Sequence, residues 1–331
     1  MKRSLSFWIY LVGGIVILLG LGFLFVRHGV NDDHVPVEAD TAALFAPGAP
    51  HTVMAVWAHP DDEITSAGTL ARLAHDGAKV TLVYLTHGEG AHFTGYSADQ
   101  LHQMRPEEAR AAGRALGVSD VVVLDYGDGK LSNPVPLPRD ISVQKDGQVF
   151  VDGVKADPAS LLNNLKTAPA TRGQPIADAA KAKADLAALI AARRPSSVIS
   201  FDERVGYYGH PDHAQVGRWT AEVVRAGMAA DPAYPVKRLY QATLPAPVIA
   251  LARKYISAFR THYPADPARG LPAPTVAVPI SSQAGAKRAV LDAHKSQVKV
   301  IDDVQPYGRK LPAFLYYRLF DREYFTLAAG R

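Results

Sequence analysis

Two short clusters that combine histidine with aspartate are the part of this sequence best suited to chemistry. They are Ala58-His59-Pro60-Asp61-Asp62-Glu63 and Tyr208-Gly209-His210-Pro211-Asp212-His213. A catalytic zinc usually has three protein ligands, with water in an open position. Two imidazoles and one carboxylate would leave the ion one net positive charge, which acidifies that water and polarises an amide carbonyl. A second carboxylate beside the water can act as a general base, so the clusters predict a metal-dependent hydrolase.

The same carboxylates also allow a structural interpretation. Acidic residues favour the first turn of a helix, so Asp61 and Asp62 could form a capping pair and Asp212 could cap another helix. Each cluster alone leaves both interpretations open, whereas two matching clusters favour the metal site. The chain has no cysteine, so thiolate ligands, thiolate catalysis and disulfides are excluded.

Each cluster follows a predicted strand. The first comes directly after the apolar run 52–58, and the second comes just beyond the strand predicted at Ser197–Phe201. In open α/β sheets, ligands bind outside the carboxyl ends of the strands. We therefore expect the two clusters to meet in one site.

Strands alternate with helices along most of the chain. Further strands are predicted at Lys79–Thr86 and Val121–Leu124, and helices at Glu63–His75, Pro106–Leu116, Ile176–Arg193 and after Pro211. This alternation is typical of an α/β fold, a Rossmann-like doubly wound, mainly parallel sheet with helices on both faces. The stretch 133–175 breaks the pattern and predicts loops, with a hairpin at Ile141–Val151.

The N-terminal segment predicts a membrane anchor. Phe7–Val26 comprises 20 residues without a charge, and a helix of that length crosses a bilayer core of ~30 Å. A cleaved signal peptide is the alternative, but no small-residue cleavage pattern precedes Arg27. We expect a transmembrane helix within 1–30, a linker at 31–50 and one catalytic domain at 51–331, placed outside the cytoplasm in a single-pass membrane protein.

Other classes of function find little support. The formal net charge is +4 without a long basic run, which argues against nucleic-acid binding. Neither G-x-G-x-x-G nor G-x-x-x-x-G-K-[ST] follows a predicted strand, which argues against a nucleotide-binding protein.

The two clusters, taken together, resemble a known family. The pair AHPDDE and HPDH is similar to the N-acetylglucosaminyl-phosphatidylinositol de-N-acetylases and LmbE-like (PIG-L) amidases, over Thr52 to about Gln297. The supporting matches are Thr86-His87-Gly88-Glu89, Arg105 with Glu108, Asp125-Tyr126-Gly127-Asp128-Gly129, Lys287 and His294-Lys295-Ser296-Gln297.

The resemblance implies a role for each residue of the clusters. Its zinc ligands would be His59, Asp62 and His213, and Asp61 would be the general base. Protonated His210 would stabilise the oxyanion or donate a proton to the leaving amine. Tyr208 would help to polarise the carbonyl, and Asp212 would orient His210.

Four further residues are candidates for substrate binding. Arg105 and Asp128 match family positions that contact sugar hydroxyls or the acetyl product. Glu89 either contacts substrate or closes a turn, and His294 either lines the site or packs a helix. Glu63 fits a structural salt bridge or a supporting contact behind the metal ligands.

The resemblance implies hydrolysis of an N-acetyl group from an N-acetylglucosamine-type sugar. The substrate would be an acetylated amino sugar, a glycolipid or a cell-wall glycan. The alternatives are an amidase acting on another N-acylated metabolite and a non-catalytic, membrane-tethered sugar-binding protein. Two histidines and one carboxylate suit Fe²⁺ as well as Zn²⁺, and the sequence does not determine the oligomeric state.

Overall fold

The fold is built on a seven-stranded sheet, seen in a computed structural model that describes residues 17–18, 20–91, 95–131, 141–143, 149–151, 154–156 and 177–330. In chain order the strands are β1 (Thr52–Trp57), β2 (Lys79–Thr86), β3 (Asp120–Tyr126), β4 (Ile141–Val143), β5 (Val149–Val151), β6 (Val154–Ala156), β7 (Ser197–Phe201), β8 (Arg238–Thr243), β9 (Val276–Pro279) and β10 (Arg322–Gly330). The helices are α1 (Ala67–His75), α2 (Ala98–Leu116), α3 (Ala179–Arg193), α4 (Gly206–Gly209), α5 (Pro211–Ala230), α6 (Ala246–Tyr255), α7 (Ser257–His262), α8 (Ala284–Ala293), α9 (Val298–Val304) and α10 (Ala313–Leu319).

The strand order confirms the predicted doubly wound, mainly parallel sheet. It is β3-β2-β1-β7-β8-β10-β9. The pairs from β3 to β8 are parallel, whereas β10 pairs antiparallel with both β8 and β9. The chain runs outward from β1 to β3 and then returns to β7 on the other side of β1. The strand order therefore reverses between β1 and β7, and ligands bind at the carboxyl ends of the strands at such a reversal.

Helices cover both faces of the sheet because the side chains of β1 alternate between two cores. Val53, Ala55 and Trp57 pack with residues of α1, α2 and α8 on one face. Met54 and Val56 pack with residues of α3 and α5 on the other. A strand that is buried on both faces reads as a continuous apolar run, which is why β1 was predictable.

The start of helix α2 differs from the prediction, whereas a predicted hairpin is present. Helix α2 begins at Ala98 rather than at Pro106, because Ser97 and Gln100 form a capping box. The predicted hairpin at Ile141–Val151 is confirmed, since β4 and β5 pair antiparallel with Ile141 opposite Val151. Most of the stretch 133–175 lies outside the described residues.

The prediction of a membrane anchor is wrong. Residues 1–16 and 19, which hold most of the apolar run, lie outside the described residues. In the part of the chain that is described, no helix combines the length and the apolar character needed to cross a membrane. The predicted single-pass location is overturned by this finding.

The segment 31–50 was expected to be a linker, but it packs against the domain. Leu44 and Phe45 are buried in the core below α1. Val37 forms a bridge with Ala277 of β9, and Asn31 donates a side-chain hydrogen bond of 2.6 Å to the carbonyl oxygen of Leu319.

Candidate active site

The first histidine–aspartate cluster forms a tight turn directly after β1. The Asp62 carboxylate folds back on this turn, where its Oδ2 accepts hydrogen bonds from the backbone N–H groups of Ala58 (3.0 Å) and His59 (2.8 Å). The turn forces Asp61 into the left-handed region, with φ of 110°. Its side chain makes no capping hydrogen bond to the following 3-10 turn, so the capping interpretation does not account for Asp61.

The second cluster follows β7 through a turn that Asp202 organises. The buried Asp202 carboxylate accepts three backbone hydrogen bonds from residues 204, 205 and 207, at 2.7–3.0 Å. Gly209 has φ of +107°, and a Cβ there would clash with the carbonyl oxygen of His262. The chain can therefore pass close to α7 before it enters α5. His210 is the N-cap of α5, and His213 lies in its first turn.

Donor atoms of three residues from the two clusters converge as metal ligands would. His213 Nε2 lies 3.0 Å from Asp62 Oδ1 and 3.3 Å from His59 Nδ1, and His59 Nδ1 lies 3.5 Å from Asp62 Oδ2. Zinc ligands at about 2.0–2.2 Å in a tetrahedral arrangement are roughly 3.3 Å apart. Burial opposes ionisation of Asp62, but His213 and His59 hold its pKa well below the usual range. The donor set fits a divalent zinc-like ion.

The opposite edge of the His59 ring faces two more carboxylates. Its Nε2 lies 2.9 Å from Asp128 Oδ1 and 3.6 Å from Asp212 Oδ2. Burial disfavours the imidazolium, yet Asp128 and Asp62 raise the pKa of His59 well above its usual value. A divalent ion that binds Nδ1 would displace the proton there, and the carboxylate at Nε2 would then fix the tautomer and orientation of the ring.

The same contacts bear on the expected roles of Asp128 and Asp212. A contact with a sugar hydroxyl or the acetyl product stays a prediction for Asp128, whose carboxylate contacts His59 and accepts the Gly90 N–H at 2.8 Å. Asp212 was expected to orient His210, and its backbone N–H donates to His210 Nδ1 at 3.3 Å. Its carboxylate Oδ2 accepts the Gly129 N–H at 2.8 Å.

Asp61 is held by a buried arginine. The Arg105 guanidinium lies 3.0 Å from Asp61 Oδ2 and also donates to the carbonyl oxygens of Gly88 and Pro60. Burial raises the pKa of Asp61 to about 6, although Arg105 acts to lower it. A sugar contact for Arg105 stays a prediction, since these three partners are all protein oxygens.

His210 is better suited to donate a hydrogen bond than to carry a charge. Its Nδ1 accepts the Asp212 N–H, which requires an unprotonated nitrogen. Burial, together with His213 and His59, lowers the pKa of His210 to about 3. The expected imidazolium is therefore disfavoured. Burial raises the pKa of nearby Tyr208, whose ring centroid is 5.1 Å from that of His213, so its phenol remains a donor.

The other two predicted substrate contacts are buried and have protein partners. Glu89 Oε1 accepts the backbone N–H of Asp128 at 2.9 Å and so braces the loop after β3. His294 is fully buried, and its Nε2 contacts Glu63 Oε1. Their roles in binding stay predictions, and the contacts favour the structural alternative for both residues.

A second group of potential ligands lies farther along the sheet edge. His87, His102 and Asp125 bring ligand atoms within 4.8 Å of one another. The two imidazoles, however, stack at 3.9 Å between centroids with only 14° between their planes. The nitrogen lone pairs of two near-parallel, stacked rings lie in separate parallel planes. These lone pairs therefore do not converge on one tetrahedral ion.

Sequence reasoning missed two residues that shape the site. The ring of Phe201, the last residue of β7, stacks on His213 at 4.2 Å with 3° between planes. Asp202 was missed as well, although an aspartate that precedes a glycine-containing turn is a known signal for side-chain-to-backbone hydrogen bonds.

Comparison with known proteins gives consistent matches over both clusters. The profile of the PIG-L family, described as GlcNAc-PI de-N-acetylase, matches residues 54–224, more than half of the chain. A 1D-myo-inositol 2-acetamido-2-deoxy-alpha-D-glucopyranoside deacetylase from Nakamurella multipartita is 33% identical, covering 83% of this chain and 91% of that protein. A protein of the same name from Geodermatophilus obscurus is 31% identical, covering 75% and 83%.

One solved structure supports the fold independently. N,N'-diacetylchitobiose deacetylase from Pyrococcus horikoshii superposes with a TM-score of 0.51 at 19% identity, covering 85% of this chain and 84% of that one. At that identity the likeness concerns the fold alone. All three proposed ligands, and Asp61 beside them, lie within the matched span 54–224.

Proposed function

Because this chain belongs to the GlcNAc-PI de-N-acetylase (PIG-L) family of deacetylases, we propose that it is a metal-dependent hydrolase that removes the N-acetyl group from an N-acetylglucosamine-type sugar or its conjugate. The observation that carries this proposal is the convergence of His59 Nδ1, Asp62 and His213 Nε2, 3.0–3.5 Å apart, beside Asp61.

His59, Asp62 and His213 would hold the ion, which we propose to be Zn²⁺; Fe²⁺ also suits these donors. The charge balance supports a dication, since Asp61, Asp62, Asp128 and Asp212 surround the position and Arg105 offsets one of them. When bound, the ion would supply Lewis-acid polarisation of the acetamide carbonyl and acidify a water molecule.

The side chains around that position would carry the proton transfers. Asp61 would accept a proton from the water that attacks the carbonyl carbon, and would return it to the amine nitrogen when the C–N bond breaks. The products are then acetate and the free amino sugar. Neutral His210, through Nε2–H, and Tyr208, through its phenol, would donate hydrogen bonds to the oxygen that gains negative charge.

The relatives favour an amino sugar as the substrate. Those from Nakamurella and Geodermatophilus are named for a 2-acetamido-2-deoxy-glucopyranoside joined to inositol. We therefore propose an N-acetylglucosaminide with a polar aglycone. The glycolipid suggested by the sequence has no support from these relatives.

The test is release of acetate by the purified, zinc-loaded protein. The panel contains N-acetylglucosamine, its α-linked inositol glycoside, N,N'-diacetylchitobiose and an N-acetyllysine peptide. We expect acetate from at least one sugar and none from the peptide. Turnover of the peptide alone would contradict the amino-sugar proposal, and activity that survives complete removal of metal would contradict the metal-dependent one.

A further inference from the structure

A buried histidine–glutamate pair lies directly behind the proposed general base. Glu63 and His294 are both fully buried, and His294 Nε2 contacts Glu63 Oε1. The other carboxylate oxygen, Glu63 Oε2, accepts the backbone N–H of Asp61 at 3.0 Å. The pair therefore forms a continuous chain of contacts that ends at the backbone of Asp61.

The backbone of Asp61 needs such support. A residue with a Cβ at φ of 110° is strained, and strain of this kind persists only where the surroundings fix it. Arg105 fixes the Asp61 side chain and the carbonyl oxygen of Pro60. Glu63 fixes the Asp61 N–H.

His294 reaches this position from a distant part of the chain. It follows α8 and opens the 3-10 turn Lys295–Gln297, beyond the matched span 54–224. The turn is attached to α2 by Ser296, whose N–H and hydroxyl donate to the Glu108 carboxylate at 2.8 and 2.7 Å. Helix α2 also carries Arg105, so both supports of Asp61 are tied to the same helix.

We propose that Glu63 and His294 are positioning residues that hold Asp61 in its strained conformation. The proposal rests on the proposed function, in which Asp61 is the base. Loss of the pair should leave the ion in place, because Glu63 and His294 contribute none of the three converging donor atoms. It should lower kcat rather than raise KM, because a base displaced by a fraction of an ångström loses its alignment with the attacking water.

The test uses the double variant Glu63→Leu/His294→Leu. Replacing both partners by apolar residues avoids leaving a buried charge unpaired, so the protein can fold. We expect one equivalent of zinc, KM within about threefold of the parent and kcat lower by about 10- to 100-fold. If the double variant does not fold, Glu63→Gln provides the same readouts. It keeps an acceptor for the Asp61 N–H and should lose less kcat than His294→Ala, which leaves Glu63 without its partner.

A second measurement separates positioning from general structural damage. The Asp61→Asn substitution is introduced into the parent protein and into the double variant. If the single variants are used instead, the substitution is introduced into the Glu63→Gln and His294→Ala proteins. If the pair acts through Asp61, the further loss caused by Asp61→Asn should be at least about tenfold smaller in the variant background. Equal losses in both backgrounds would overturn the proposal while leaving the base role intact. An Asp61→Asn parent with near-normal turnover would overturn the base role, and this proposal with it.

The matched control is the buried pair Lys287–Glu323, which links α8 to the start of α1. Lys287 Nζ contacts Glu323 Oε1, and the Glu323 carboxylate also accepts the N–H groups of Gly68 and Thr69 at 3.0 and 2.7 Å. Lys287→Met/Glu323→Leu should lower stability, leave kcat within about threefold and show losses independent of Asp61→Asn. A kcat loss equal to that of Glu63→Leu/His294→Leu would mean that removing any buried pair near α8 impairs turnover, which contradicts a specific positioning role.

Discussion

At the scale of single residues, the proposed reaction depends on the protonation state of Asp61. The Asp61→Asn variant keeps the size of the side chain and one oxygen near Arg105, but it cannot accept a proton. We expect kcat to fall by roughly 10²–10⁴ while bound zinc is retained, which is the usual contribution of positioned acid–base catalysis. Steady-state kinetics with metal analysis on the same sample measures both quantities.

The control for this variant is Asp99→Asn, an exposed aspartate in the first turn of α2. It should keep turnover within about twofold, since charges at exposed helix ends contribute only a few tenths of a kcal/mol. A folded, zinc-loaded Asp61→Asn enzyme with turnover close to that of the parent would show that another residue is the general base.

The pKa of Asp61 also predicts the pH profile. Burial raises this pKa to about 6, and a dication beside the carboxylate would lower it. Asp61 must be ionised to act as a base, so turnover should fall as pH drops through a midpoint at or below about 6. With a pKa of about 3, His210 is neutral over that range and contributes no alkaline limb. Profiles of kcat/KM for the parent and His210→Ala check this. An alkaline limb that is present in the parent and absent from His210→Ala would show that His210 acts as a cation.

At the scale of elements, the turn between β7 and α5 is the most constrained part of the site. Replacing Gly209 by alanine adds a Cβ where φ is +107° and the His262 carbonyl oxygen leaves no room. We expect Gly209→Ala to destabilise the protein by at least about 1 kcal/mol and to lower kcat, because His210 follows directly. Thermal unfolding and steady-state kinetics measure the two effects.

Gly285 in α8 is the matched glycine control. A Cβ there meets no atom within 4 Å, and the backbone is helical. Gly285→Ala should therefore leave kcat unchanged and stabilise the protein by about 0.5–1 kcal/mol. If both alanine variants behaved alike, the conformation of Gly209 would not matter to the site.

The elements around the site were predictable where local signals determine them. Strands β1, β2 and β7 are apolar runs buried on both faces, and their predicted and observed bounds agree closely. The start of α2 was misjudged because Pro106, which usually marks a first turn, lies inside this helix. The insertion of β10 between β8 and β9 depends on antiparallel pairing of distant short segments, which no local pattern determines.

The candidate site shows the same division. Residue types and their positions after strands were enough to predict that the two clusters meet, whereas the choice of His59, Asp62 and His213 as ligands came from the family resemblance. The contacts of Asp128, Arg105 and His294 were not predictable, because each depends on where a loop or helix from another part of the chain comes to lie.

At the scale of the whole molecule, the proposed ion should stabilise the fold. Its donors come from both halves of the sheet, so an ion that binds them favours the native state over the unfolded one. At free zinc of about 100 times Kd, we expect the free energy of unfolding to rise by about 2.7 kcal/mol, and a chelator should reverse the gain. Denaturant unfolding with and without zinc measures this.

The same experiment on variants identifies the ligands. His213→Ala should lose most of the zinc-dependent stabilisation, whereas His75→Ala, at an exposed histidine of α1, should keep it. A full zinc effect in His213→Ala would remove His213 from the ligand set.

The separation of the two clusters along the chain has a consequence for biosynthesis. His59 and His213 are 154 residues apart, and they meet only because β7 returns to lie beside β1. A nascent chain that leaves the ribosome therefore exposes His59, Asp61 and Asp62 well before their imidazole partner has been translated. Stable capture of the proposed ion would have to wait until α5 has emerged and docked, so the metal would be acquired late in synthesis or after release.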